Sequence, residues 1–256
     1  MTLELADVRR DVAIANRILA NLGLATGLLA GLGHASMRLP GNPDRFVVKG
    51  RQYAIDSLAS MRPEDMVECD INGFLVDGPP GVIQCLEVKI HSCIYQARPD
   101  VQSVVHIHPR FAVLMSVLKR DLVPVCLEGL ELVRKPLPVY PHVKIIHTQE
   151  EGTEVAQHLG AEKIVLLFGH GAVTAGESLE DSVMTMARLE EQARMNYYAF
   201  SAMGPDHPRI SDALADEMAD RPPIWEHDHF KNLLGGELPQ MGGLWNYYVT
   251  EAARGL

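Results

Sequence analysis

The chain has 256 residues, 47% of them hydrophobic, enough to bury a full core, and a formal net charge of -10. That acidic balance excludes nucleic acid and anionic lipid as expected partners, because no basic excess exists to neutralise phosphates, and it favours a small-molecule substrate. Cys69, Cys85, Cys93 and Cys126 show no CxxC spacing, charged residues occupy the N-terminus, and no apolar run approaches a membrane span. A single domain over 1–256 in the cytoplasm is therefore expected. Val8, Val12, Ala15, Ile18, Leu19 and Leu22 recur at helical spacing and predict an opening helix that ends at Gly23 and Gly27. Short β-type runs at 35–39, 45–48 and 66–69, followed by an Asn72-Gly73 turn, predict antiparallel hairpins. A helix over 83–97 stops before Arg98-Pro99-Asp100, a mostly apolar strand fills 101–108, and Pro109 suits the first position of the next helix. Further helices are expected over 150–159 and from a Ser178 cap to about Met203, with a buried strand over 163–168 between them. The tail over 205–256, rich in Pro, Gly and aromatics and carrying Trp225 and Trp245, is expected to pack on the domain or on a neighbouring subunit.

The chemistry is carried by histidines. His106-Ile107-His108 closes one apolar run and Gly169-His170-Gly171 closes another. Residues i and i+2 of a strand project to one face, so His106 and His108 can share a cation. A third imidazole, His170, would complete a site that holds one divalent metal with coordination positions open to substrate. A lone HxH is more often a core or surface feature, but three histidines at strand ends followed at once by Pro or Gly sit where the backbone leaves a sheet and function accumulates. Glu87 and His91 fall one turn apart on the expected helix, which runs into the His106 strand. Glu87 is thus the acid/base candidate, against the alternative of a solvated helix face.

With these residues in place the sequence resembles the class II aldolase/adducin family, which includes fuculose-phosphate aldolase, ribulose-phosphate epimerase and some metal-dependent decarboxylases. The resemblance runs from about 13 to 202. It is carried by Gly33-His34-Ala35-Ser36 with Arg38, Glu87-Val88-Lys89-Ile90-His91, Arg98-Pro99-Asp100, Val104-Val105-His106-Ile107-His108-Pro109 and Leu167-Phe168-Gly169-His170-Gly171. It implies an α/β fold, a three-layer α/β/α sandwich around a mainly antiparallel central sheet, assembled as a homotetramer with active sites at subunit interfaces. It also implies that His106, His108 and His170 hold one divalent ion per subunit, that Glu87 is catalytic, and that Tyr140 reaches a neighbour's site as a proton donor.

The chain departs from the sugar-phosphate members where they resemble one another in a hydroxyl-rich phosphate cradle. Here those places read Gly33-His34, Lys49-Gly50 and Cys85-Leu86, and the last pair offers a phosphate almost nothing beyond backbone. His34, Ser36, Lys49 and Arg51 are instead candidate contacts for a carboxylate substrate, with an exposed loop as the competing reading of Lys49 and Arg51. The expectation is a metal-dependent carbon–carbon lyase, specifically a nonoxidative decarboxylase of a hydroxylated aromatic or heteroaromatic acid. An aldolase or epimerase acting on a sugar phosphate or hydroxy-keto acid is the alternative, followed by a metal-dependent oxygenase and a non-catalytic adducin-like binding protein. Three imidazoles suit Zn, Mn, Fe or Co.

Overall fold

A computed structural model describes residues 4–222, 226–231 and 243–256. Its frame is set by strands whose alternate residues feed two different cores. The elements in order are α1 (Leu5–Asn21), β1 (His34–Leu39), β2 (Asn42–Arg51), β3 (Met66–Asp70), β4 (Leu75–Asp77), β5 (Ile83–Gln84), α2 (Val88–Ala97), β6 (Ser103–Ile107), α3 (Arg110–Val117), β7 (Val139–Tyr140), α4 (Gln149–Leu159), β8 (Ile164–Leu167), β9 (Gly171–Gly176), α5 (Leu179–Met203), α6 (Asp212–Ala219), α7 (Asp228–Lys231) and α8 (Gly243–Ala252). The strands run in the order β4-β3-β2-β1-β6-β9-β8-β7, with β5 pairing to the end of β2. Only β7 and β8 are parallel, so the expected mainly antiparallel sheet is present.

Val105 and Ile107 of β6 pack with Val12 and Ile18 of α1 and with Met186 and Leu189 of α5, whereas Val104 packs on the other face with Ile90 and Ile94 of α2 and Val155 of α4. The same alternation places Ala35 and Val47 in the first core and Phe46 and Val48 in the second. Helices thus cover both faces, and the α/β/α sandwich follows from period-two patterning on central strands. β1 pairs with β6 in the register His34 to His106, so both histidines project toward the α2 side. Arg38, also on that side of β1, donates to the carbonyls of Tyr95, Arg98, Val101 and Pro43 and so closes the C-terminal end of α2.

Two elements differ from the sequence expectation. The helix expected over 83–97 begins at Val88, because Ile83 and Gln84 pair instead with Arg51 and Gly50 after the Pro79-Pro80-Gly81 turn. Pro109 is the cap of α3 rather than its first residue. In addition, β7 and β9 carry no strong strand signal in sequence; β9 is Gly171-Ala172-Val173-Thr174-Ala175-Gly176, small residues that gain their conformation from pairing with β6 and β8. In the tail, Trp245, Tyr248 and Val249 of α8 are half-buried against the first core, and Arg17 of α1 donates to the Arg254 carbonyl. Trp225 lies outside the described residues. Among the described residues no helix is long and apolar enough to cross a membrane.

Ser178 caps α5 by accepting from the Asp181 N–H, and Leu189 of the same helix is fully buried. Ser178→Ala should cost about 1 kcal/mol and Leu189→Ala about 2–5 kcal/mol in urea unfolding, the first losing a cap and the second opening a cavity.

Candidate metal centre and active site

His106 is fully buried on β6, and its Nδ1 lies 3.1 Å from the carbonyl oxygen of Ala172 on β9. A carbonyl only accepts, so Nδ1 carries the proton and Nε2 presents a lone pair. Nε2 is buried without a hydrogen-bond partner among the described residues, 3.2 Å from Glu87 Oε2. His108 follows one residue beyond the strand, and His170 sits in the β8–β9 turn, where Gly169 adopts a positive φ of 63°. The His106–His108, His106–His170 and His108–His170 ring centroids are 5.1, 5.1 and 4.7 Å apart. This approach requires glycine at 171: a Cβ there would stand 2.6 Å from the Ile107 oxygen and 2.9 Å from His106 Cε1.

Glu87 occupies the cap position of α2, where a carboxylate is favoured by the positive end of the helix. Its Oε1 accepts from the Ile146 N–H at 2.9 Å and lies 3.6 Å from His170 Nε2. Donor atoms of Glu87, His106, His108 and His170 all lie within 4.8 Å of one another. Burial works to raise the Glu87 carboxyl, but the imidazoles of His106 and His170 outweigh it and hold the group well below the usual carboxylate range. Burial first, and the neighbouring rings second, push His108 down to about 3.

The set fits a divalent metal ion. His106 Nε2 is a buried nitrogen with no hydrogen-bond partner among the described residues, a costly state that a cation would relieve, His170 Nε2 faces the same cluster, and three imidazole nitrogens are donor chemistry for Zn, Mn, Fe or Co. The Ala172 carbonyl supplies the outer contact that orients a ligating imidazole.

His34 adjoins this cluster, its ring 5.3 Å from that of His106, and its Nδ1 is 2.6 Å from His91 Nε2. Four other sequence candidates have partners within the chain. Ser36 is fully buried, its hydroxyl engaged by His91 and Tyr95, so it contacts other side chains rather than substrate. Lys49 and Arg51 are not an exposed loop: both converge on Asp56, each at 2.6 Å, with Lys49 almost wholly buried. Tyr140 is buried in its own chain and donates to Glu154 Oε2 at 2.9 Å; burial and that carboxylate push its hydroxyl up to about 12. The sequence reading missed Asp56, the Ile146 N–H and the Ala172 carbonyl, the last two being backbone groups that leave no trace in residue identity. His91 was visible at its spacing from Glu87, but its partners His34 and Ser36 are distant in sequence.

The sequence profile of the class II aldolase and adducin N-terminal domain matches residues 10–197. The chain belongs to the class II aldolase and adducin family. It is 30% identical over 259 residues, 98% of each chain, to a 3,4-dihydroxyphthalate decarboxylase of Rhodococcus jostii. Among solved structures it is similar to an aldolase II superfamily protein from Pseudomonas syringae, with a TM-score of 0.79 at 23% identity covering 99% of this chain and 95% of that one. It is also similar to the L-fuculose 1-phosphate aldolase from Glaciozyma antarctica, with a TM-score of 0.74 at 22% identity covering 96% and 88%. These structural likenesses establish the class II aldolase fold.

Two outcomes are expected. His106→Ala and His170→Ala should each lower retained divalent metal at least about tenfold in elemental analysis, whereas Tyr140→Phe should leave it unchanged. In metal-free protein, His34, His91 and His108 are all held below the ordinary histidine value of 6.5 by burial, so the unfolded chain binds their protons first. Stability should therefore be full above pH 6.5 and fall as pH drops below it. The depressed Glu87 carboxyl adds a loss in the same direction below its ordinary 4.5. Urea midpoints measured from pH 8 to pH 4 test this, and a flat profile would contradict it.

Proposed function

We propose that the protein is a divalent-metal-dependent lyase that decarboxylates a hydroxylated aromatic or heteroaromatic acid without an oxidant. The observation that carries this reading is the convergence of three imidazoles and Glu87 in one cluster, Glu87 and His106 buried and His108 and His170 half-buried, with His106 Nε2 unpaired. The end-to-end likeness to a 3,4-dihydroxyphthalate decarboxylase supports the substrate class. So does Cys85-Leu86, where hydroxyls would be needed to hold a phosphate.

His106, His108 and His170 would hold the ion, which when bound supplies a Lewis acid toward a substrate oxygen and hence an electron sink. Glu87 is fixed by the Ile146 N–H and can take the proton of a substrate phenol. The carbon–carbon bond then breaks with its electron pair left on the ring carbon, carbon dioxide departs, and Glu87 returns the proton to that carbon. Tyr140, committed to Glu154, takes no part. His34 faces the acidic end of the substrate. Lys49 and Arg51 against Asp56 sum to one residual positive charge, which together with a bound divalent ion would outweigh the negative charge of Glu87 beside His34. This favours an anionic substrate despite the acidic chain as a whole. The tetramer with interfacial sites belongs to the same proposal; Val143 and Ile145, 66% and 59% exposed, flank the Ile146 contact and would be covered in such an assembly.

Metal-loaded protein offered hydroxylated phthalates and sugar phosphates in parallel should release carbon dioxide from the former. Glu87→Gln should keep the metal and lose at least about a hundredfold in kcat, the scale of a general acid/base contribution. Aldehyde release confined to sugar phosphates, or full activity of Glu87→Gln, would overturn the proposal.

A further inference from the structure

Behind the metal cluster, three short hydrogen bonds run in series through the second core. Tyr95 Oη and Ser36 Oγ are 2.7 Å apart, Ser36 Oγ and His91 Nδ1 2.6 Å, and His91 Nε2 and His34 Nδ1 2.6 Å. Tyr95, Ser36 and His91 are all buried, and His34 is 5% exposed. His34 Nε2 has no partner among the described residues and is not one of the buried unpaired atoms, so it is the end of the series open to a ligand.

The direction of the series follows from counting protons. Each buried imidazole carries one proton, since a charged ring without an anion would be costly there, and each hydroxyl carries one. If Tyr95 donates to Ser36, Ser36 to His91 Nδ1, and His91 Nε2–H to His34 Nδ1, every short contact holds a proton and none is left over. The remaining His34 proton then sits on Nε2. In the reverse direction, His34 Nδ1–H donates to His91, His91 to Ser36, and Ser36 to Tyr95. The Tyr95 proton is then left without an acceptor, and if Tyr95 keeps donating to Ser36 instead, the Ser36 proton has only the Val104 carbonyl at 3.4 Å, the longest contact of the group. An unmade bond in this interior costs more than a made one returns. Phe46 lies at 18° to the His91 ring with 6.4 Å between centroids.

We infer that His91 is a positioning residue that holds His34 in the Nε2–H form, so that His34 presents a hydrogen-bond donor to an anionic oxygen of the substrate. This deepens the reading above, in which His34 faces the acidic end of the substrate. It also assigns Ser36 and Tyr95 to the support of that donor. The rival arrangement is a second metal ion on His34, Cys85 and His91, whose donor atoms lie within 4.8 Å of one another.

The test uses zinc-loaded full-length protein labelled with 15N in histidine. Two-bond proton–nitrogen correlations report which ring nitrogen is protonated, and His34→Gln identifies the His34 signals. The wild-type protein should show His34 as the Nε2–H form. His91→Phe and Ser36→Ala should each shift it toward a mixture, and His91→Gln, whose amide can donate to His34 Nδ1, should restore it. With the hydroxy-aromatic acid that is turned over, His91→Phe should raise KM about tenfold with little change in kcat, as expected for lost ground-state binding, and His91→Gln should recover it. An Nδ1–H form in the wild type, an unchanged form in both His91→Phe and Ser36→Ala, or a second zinc equivalent lost in Cys85→Ser but kept in His170→Ala would overturn the inference. Because the tautomer is read without substrate, the expected spectra with no decarboxylation of any aromatic acid would reject the reaction and leave the positioning role standing.

Discussion

The structure depends on the alternation of β6 between two cores. Because Val105 and Ile107 must be buried against α1 and α5, Val104 and His106 have to face α2 and α4, and a slip of one residue would move the histidine into the aliphatic layer. The β1 register then delivers His34 beside His106, and the antiparallel return of β9 brings His170 back to the same end of the sheet. Hydrophobic burial thus positions the imidazoles before any ion is considered.

The cost of this placement is electrostatic. Several imidazoles and a carboxylate share a low-dielectric interior, where unpaired polar atoms are expensive. The protein meets part of that cost with backbone groups, the Ala172 carbonyl on one side and the Ile146 N–H on the other, and with the hydroxyls of Ser36 and Tyr95. What it leaves unmet at His106 Nε2 marks where a cation fits. Glycine at 171 serves the same end, since a Cβ there would meet the Ile107 oxygen and the His106 ring.

Much of this was legible in sequence for a physical reason. Strand and helix periods are local, so α1, α5, the hairpins and the HxH pair on β6 announce themselves within a few residues. The small-residue strand β9 did not, because its conformation is imposed by two neighbours. The start of α2 differs from expectation because Ile83 continues a helical apolar pattern while, with Gln84, it pairs with β2. Candidate residues divided along the same line. His106, His108, His170 and Glu87 were found from local pattern and are brought together, whereas Lys49, Arg51, Ser36 and Tyr140 have partners (Asp56, His91, Glu154) that only the tertiary structure supplies.

Arg38 and Glu87 together have one more effect. The guanidinium closes the carbonyl end of α2 while the carboxylate stands at its amide end, each sign opposite to the partial charge it meets. The ten residues between them behave as a short strut pinned at both tips, one tip to β1 and the other to the Ile146 backbone. Rocking the strut would break polar anchors at opposite ends at once, so the distance between the His91 support and the Glu87 carboxylate is fixed by a rigid rod rather than by the compliance of a loop.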